Sequence, residues 1–273
     1  RDGYVTEIFG TEAIKAIEDA PAGRPFFMSL HFTAPHWPWE GPDDREVSED
    51  LSQMMHFDGG SLETYSAMVR SMDGEVGKLL DYLDRSGLAE NTIVVFTSDN
   101  GGERFSDTWP LIGVKTELLE GGIRVPFLVR WPGRVAPGTV TQQTAMSMDA
   151  LPTLLAAAGR EPDPGFPPDG MNLLPVLAGG AAQSRTLFWR YKAMEQAAIR
   201  DGDWKYLLIG GGEYLFNLAE DERERANLKR REPERFAQLK ESFAEWNSEM
   251  LPYSLLNSSW NVKQGKEGWA DRY

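Results

Sequence analysis

Leu62, Tyr65, Val69, Met72, Val76, Leu79, Leu80 and Leu83 recur at three- and four-residue spacing. That is the stripe of a long amphipathic helix, and Gly87 supplies its stop. Upstream, Ile14 and Ile17 share a face, which predicts a shorter helix over Thr11 to Asp19 with Thr11 as its cap. Two apolar runs have a different character. PFFMSLHF, bounded by Pro25 and APHWP, and NTIVVF ahead of TSDNGG are short and continuous, which predicts buried strands, the second over Thr92 to Thr97. VPFLVRW predicts another strand. Met148 to Ala158 predicts a further helix, with Pro152 in its first turn and Gly159 as its stop. Residues 37 to 60 are rich in Pro, Asp and Gly and predict a long surface loop of the kind that borders sites. Helix, strand, long loop, strand and helix in this order predict an α/β fold, a mixed or parallel sheet flanked by helices, with its strands buried on both faces.

The pattern changes around EPDPGFPPDG and AGGAAQS. Beyond it, TLFWRY, QAAIR, DWKYLLI and EYLFNL are short segments separated by Gly and Asp turns, the signature of an antiparallel meander. Glu232 to Met250 predicts an amphipathic helix, followed by a polar aromatic tail. The boundary therefore falls near residue 180, with 1–179 as the α/β part and 180–273 as an antiparallel-sheet subdomain with helix and tail.

Composition narrows the function classes. The formal net charge of −14 over 273 residues argues against nucleic acid, whose phosphates need a Lys/Arg surplus. An acidic chain binds an anion only where local cations or a metal reverse the field. There is no cysteine, which excludes disulfides, thiolate metal sites and a Cys nucleophile within these residues. No apolar run reaches the roughly 18 residues of a membrane span, so no membrane partner is expected. The chain opens on RDGYVTEIFG, without a signal-peptide pattern or an initiator Met, and reads as the interior of a longer protein.

The chemistry concentrates in a few loops. In open α/β sheets ligands bind beyond the carboxyl ends of strands, which is where Asp99 and Asn100 fall. A carboxylate and an amide oxygen side by side are hard donors suited to calcium or magnesium, and Gly101 and Gly102 let the backbone turn away. Asp-Asn-Gly is equally a common turn. His36 follows the first apolar run, held between prolines in APHWP, as suits a positioned proton donor. Lys115 lies in GVKTELLEGGIRVP, between two expected strands, and Glu120 and Arg124 flank the glycines of that segment as a structural pair. His31 and His56 have weaker claims. Trp37, Trp39 and Trp109 lie in the same loops and suit either stacking on sugar rings or covering the core.

TSDNGG, a loop, a Lys and EGGIRVPFLVRWPG together resemble the second half of the sulfatase family, of alkaline-phosphatase-like fold. FFMSLHFTAPHWP resembles that family's strand with an exposed His before Pro. AMSMDALPTLLAAAG resembles the helix that follows, and IRDGDWKYLL with EYLFNLAEDERERANL resembles its small C-terminal sheet. The resemblance makes residues 1–179 the C-terminal half of the sulfatase α/β domain. It implies a sulfuric ester hydrolase whose calcium ion is held in part by Asp99 and Asn100. It also implies that His36 and Lys115 contact the sulfate, and that the substrates are sulfated carbohydrates or aryl sulfate esters, in a periplasmic or secreted setting.

The departure lies in the nucleophile. The family uses a formylglycine made from Cys or Ser in a Cys/Ser-x-Pro-x-Arg motif. Here the Pro-x-Arg triplets Pro132–Arg134 and Pro233–Arg235 are preceded at the motif's first position by Arg130 and Arg231. The expectation is a sulfatase fragment, inactive alone, whose exposed sheet is covered by an N-terminal fragment or another chain. Two alternatives stand beside it: a phosphate or phosphonate monoester hydrolase of the same superfamily, and a non-catalytic glycan-binding remnant.

Overall fold

The computed structural model describes residues 1–21, 23–53, 56 and 59–253. The expected tail lies mostly outside them, as do Met54, Met55, Phe57 and Asp58 of the expected loop. The chain forms two compact units, one of Arg1–Val94 with Trp131–Gly133, the other of Val95–Arg130 with the chain from Arg134 on.

In the first unit, α1 (Val5–Glu18) packs on α3 (Leu62–Arg85). Ser61 caps α3, its hydroxyl accepting the Thr64 N–H at 3.0 Å. The helix ends in a Schellman turn: Gly87 takes φ +72°, and the Leu88 N–H reaches the Leu83 carbonyl at 3.0 Å. Ile17, Leu83 and Ala89 form the core, with Met28, Leu79, Tyr82 and Val94 against it. Helix α1 starts six residues before Thr11, which lies inside it, so Thr11 is not a cap. The loop expected over 37 to 60 contains a short helix, α2 (Arg45–Asp50).

PFFMSLHF is not a buried strand. It runs without a ladder, and Phe27 is 79% exposed. An apolar run becomes a strand only when a neighbour takes its backbone hydrogen bonds, and among the described residues none does so here. The strand expected over Thr92 to Thr97 is real but shorter, β1 (Val94–Thr97), and it pairs with β2 (Phe127–Arg130). Neither is buried on both faces: Val95, Phe96 and Leu128 are all exposed.

The second unit is built on the meander. Strands β3 (Thr186–Tyr191), β4 (Gln196–Asp201), β5 (Trp204–Ile209) and β6 (Gly212–Asn217) form an antiparallel sheet in chain order. The turn between β5 and β6 is Gly210-Gly211, both at positive φ (59° and 79°), as a two-residue hairpin requires. Period-two alternation sorts the side chains. Ile199, Tyr206 and Leu215 face Leu239 of α7 (Pro233–Ser248). Ala198, Leu207, Ile209 and Phe216 face Leu118 and Leu119. The second face therefore seats the loop that carries Lys115. Along the chain α4 (Glu120–Ile123) lies between β1 and β2, and α5 (Ala150–Ala157) and α6 (Leu174–Leu177) between β2 and β3. Buried Asp149 precedes α5, accepts the Met146 and Met171 N–H groups, and pairs with Arg185 at 2.6 Å.

Candidate active site

The stretch after β1 and the EGGI turn interlock through bare backbone. The Gly101 N–H donates to the Gly122 carbonyl at 2.8 Å, Gly121 N–H to Ile112 at 2.7 Å, and Lys115 N–H to Gly102 at 2.7 Å. A Cβ on Gly101 would lie 1.9 Å from the Gly121 oxygen, and one on Gly122 2.1 Å from the Glu117 oxygen. These contacts are below any real non-bonded carbon–oxygen separation, so glycine here is a packing requirement. The knot fixes where Asp99, Asn100 and Lys115 leave the fold.

Asp99 and Asn100 are brought together: Asn100 Nδ2 donates to Asp99 Oδ1 at 2.6 Å. A half-turn of the amide, at the expense of that bond, sets its oxygen beside the carboxylate. The pair then offers two hard oxygens of the six to eight that calcium takes. Among the described residues no group of three or more His, Asp or Glu side chains converges to hold an ion. The residues present thus fit part of a calcium shell.

Lys115 is partly buried, with Nζ 3.8 Å from Glu103 Oε2. Its loop is clamped from β4. Buried Gln196 accepts the Leu118 N–H at 2.8 Å and donates through Nε2 to the Thr116 carbonyl at 2.8 Å. Thr116 sits at φ +77°, a conformation that costs a β-branched residue energy and persists because both sides of it are held.

Glu120 and Arg124 were expected as a structural pair. Glu120 is indeed structural, but its close partners come from the meander. Lys205, 0% exposed, sits with Nζ 2.8 Å from both Glu120 Oε1 and Glu224 Oε1, and Glu224 also accepts the Glu120 N–H. Arg200, opposite Lys205 in the β4–β5 register, comes to 3.6 Å of Glu120. Burial pushes the Glu120 carboxyl up, yet Lys205, with help from Arg200 and Arg124, holds it below the usual range. For Glu224 burial prevails over Lys205, with the Glu120 charge adding to it, and its carboxyl is raised. The sequence reading missed Gln196, Lys205 and Glu224. One signal was available: in WKYLLI, Lys205 alternates with Leu207 and Ile209, on the core face of its strand.

His36 belongs to the other unit, where it is exposed. Its Nδ1 lies 2.7 Å from the Trp37 carbonyl oxygen, so Nδ1 carries the proton and Nε2 is the nitrogen left for a ligand. His31 is exposed, with Nε2 2.8 Å from Ser29 Oγ. His56 is buried, its ring 6.4 Å from that of Trp39.

A sheet and helices with polar loops gathered behind β1 define an α/β protein of alkaline-phosphatase-like class, the fold of its structural neighbours. Residues 2–160 match the sulfatase family model, and 114–248 match that of the N-sulphoglucosamine sulphohydrolase C-terminal region. The chain belongs to the sulfatase family. It is 32% identical over 212 residues to N-acetylgalactosamine-6-sulfatase of Mus musculus, a match covering 75% of this chain and 38% of that protein. The chain thus spans well under half the length of that curated relative. A solved structure described as Ps i-CgsB in complex with k-i-k-neocarrahexaose aligns at a TM-score of 0.78 and 27% identity, over 96% of this chain and 56% of that one. The phosphonate monoester hydrolase of Agrobacterium radiobacter shares the fold, at a TM-score of 0.64 and 22% identity over 95% of this chain and 63% of that one.

Proposed function

We propose that this chain carries the sulfate-binding side of a sulfuric ester hydrolase acting on sulfated carbohydrates outside the cytoplasm. The observation that carries the reading is the Lys115–Gly102 backbone bond, which ties the ammonium-bearing loop to the acid–amide pair through one glycine knot. Lys115 would hold a sulfate oxygen and neutralise the charge that gathers there as the S–O bond breaks. Asp99 and Asn100 would hold a calcium ion, which when bound supplies further positive charge to the sulfate. For His36 the role follows the sequence resemblance: in its protonated form it would donate the Nε2 proton to the departing alcohol oxygen. The nucleophile, a formylglycine in the family, belongs to a segment outside these residues, because no Cys/Ser-x-Pro-x-Arg motif occurs among them. That segment, or another chain, also covers the exposed faces of β1 and β2.

Sulfate is preferred to phosphate as the substrate anion because position 100 is Asn, where many phosphate-directed relatives are expected to carry His. The carbohydrate is argued from the relatives, one an N-acetylgalactosamine-6-sulfatase and another solved with k-i-k-neocarrahexaose. The test is turnover of 4-methylumbelliferyl sulfate and phosphate by the 273-residue chain, alone and extended by the sequence encoded upstream of Arg1. The expected result is no turnover alone, and calcium-dependent turnover of the sulfate ester by the extended chain. Exclusive phosphate-ester turnover by the extended chain, or glycan binding without turnover, overturns the reading.

A further inference from the structure

Between the acid–amide pair and Lys115 the chain makes a second, smaller knot. The Trp109 N–H donates to Asp107 Oδ1 at 2.9 Å, and the Thr108 hydroxyl lies 3.3 Å from the Leu111 and Gly113 carbonyl oxygens. A Cβ on Gly102 would stand 1.9 Å from Ser106 Oγ and 3.7 Å from Thr108 Cγ2, so this turn is seated on the glycine whose carbonyl holds Lys115. At its tip the Trp109 indole is 69% exposed, the opposite of what a core-covering tryptophan shows.

One ring face is occupied by a cation. The Arg223 guanidinium carbon lies 4.3 Å from the Trp109 ring centroid. Arg223 is itself held in place, because Glu224 beside it is buried against Lys205 and Glu120. Its Nε is buried and has no hydrogen-bond partner among the described residues. A guanidinium presents N–H donors in a rigid fork that matches two oxygens of a sulfate or carboxylate arriving in its plane. The chain is strongly acidic as a whole, so a guanidinium held over an open indole is a local exception to its field.

We propose that Trp109 and Arg223 form a subsite for a second sugar unit of an anionic glycan. The free indole face stacks on the apolar side of a pyranose ring, and Arg223 takes a sulfate ester or carboxylate on that unit. The ligand class rests on the sulfate-ester reading above; the geometry does not. The subsite recognises a charge other than the one being cleaved, so it selects oligosaccharides over single sulfated sugars.

The experiment is calorimetric titration of the 273-residue chain with a carrageenan hexasaccharide and with its chemically desulfated counterpart, in low salt. Variants Trp109→Ala, Trp109→Phe, Arg223→Ala and Arg223→Lys are compared, each checked for an unchanged Tm. Expected are measurable binding of the sulfated hexasaccharide and about tenfold weakening in Trp109→Ala and Arg223→Ala, a loss of about 1.4 kcal/mol. Smaller losses are expected in the Phe and Lys variants, and at least about tenfold weaker binding of the desulfated sugar, from the loss of a charge-assisted contact. No binding by the parent chain, equal binding of the desulfated sugar, or full affinity in both alanine variants overturns the subsite. Binding is read without turnover, so failure here is separate from failure of the hydrolase reading, which is decided by ester cleavage.

Discussion

Gln196 Nε2 donates to the Thr116 carbonyl at 2.8 Å, one residue beyond Lys115, while the same amide's oxygen takes the Leu118 N–H. A single buried side chain of the C-terminal meander thus grips the chain at two points just after the residue that presents the ammonium. Gln196→Ala strips partners from the buried Leu118 N–H and the part-buried Thr116 carbonyl, and a buried group left unmet costs about 1–3 kcal/mol. The expected outcome is a loss of that order in urea denaturation, with faster hydrogen exchange at the Leu118 amide and little change at the α3 amides. Unchanged exchange at Leu118 would show that the clamp is idle.

Lys205, fully buried, stands between two carboxylates. Lys205→Met leaves Glu120 and Glu224 buried together, and breaking a buried pair in this way costs about 3–5 kcal/mol. Glu224→Gln is expected to cost less, because its carboxyl is already raised by burial and its amide oxygen still accepts the Glu120 N–H. Denaturant midpoints of the two variants at pH 7 decide the order.

The same network sets a dependence on acid. Glu120 is held below its ordinary value in the fold, so its contribution is fully present above the usual carboxylate range and is lost as pH falls through the depressed folded value. The raised Glu224 works in the opposite sense: the fold holds its proton more tightly, and its ionisation costs stability as pH rises through the raised value. The stability gap between the parent chain and Glu120→Gln is therefore expected to shrink steadily as the pH is lowered below the carboxylate range. A gap that stays constant into that range contradicts the assignment.

Glycines of the knot and glycines of the long helix should respond in opposite ways. A Cβ on Gly121 would lie 2.2 Å from the Gly113 oxygen and 2.6 Å from that of Ile112, backbone atoms that cannot step aside. Gly121→Ala is expected to destabilise by at least about 1–3 kcal/mol, the ordinary cost of overpacking. Gly74, inside α3, meets nothing within 4 Å, and Gly74→Ala should stabilise by about 0.5–1 kcal/mol. Thermal melts of the two variants give the signs.

The long helix, the meander and the C-terminal helix were legible because each carries its own period and its own stop. Gly87 ends α3, and Gly210-Gly211 turns β5 into β6. The first apolar run misled for a physical reason. Phe26 and Phe27 carry a strand's composition, but composition supplies no hydrogen-bonding neighbour. The Asp99–Asn100 pair was legible from a strand ending in polar residues and glycines. The partners of Glu120 were not, because nothing local links residue 120 to residues 205 and 224.

By itself the sequence determined the long helix, the meander, the C-terminal helix and the family, and singled out His36, Asp99, Asn100 and Lys115 as candidates, since periodicity, turn chemistry and motif order are written within a few tens of residues. Tertiary structure alone decided that a buried lysine and a glutamine of the meander hold the EGGI turn and the Lys115 loop. It alone decided that four glycines let two loops share one space, and that Arg223 lies over Trp109. Those relationships join residues up to about a hundred positions apart, and only packing selects them, because the cost of burying a charge or an amide is felt only once its surroundings have closed.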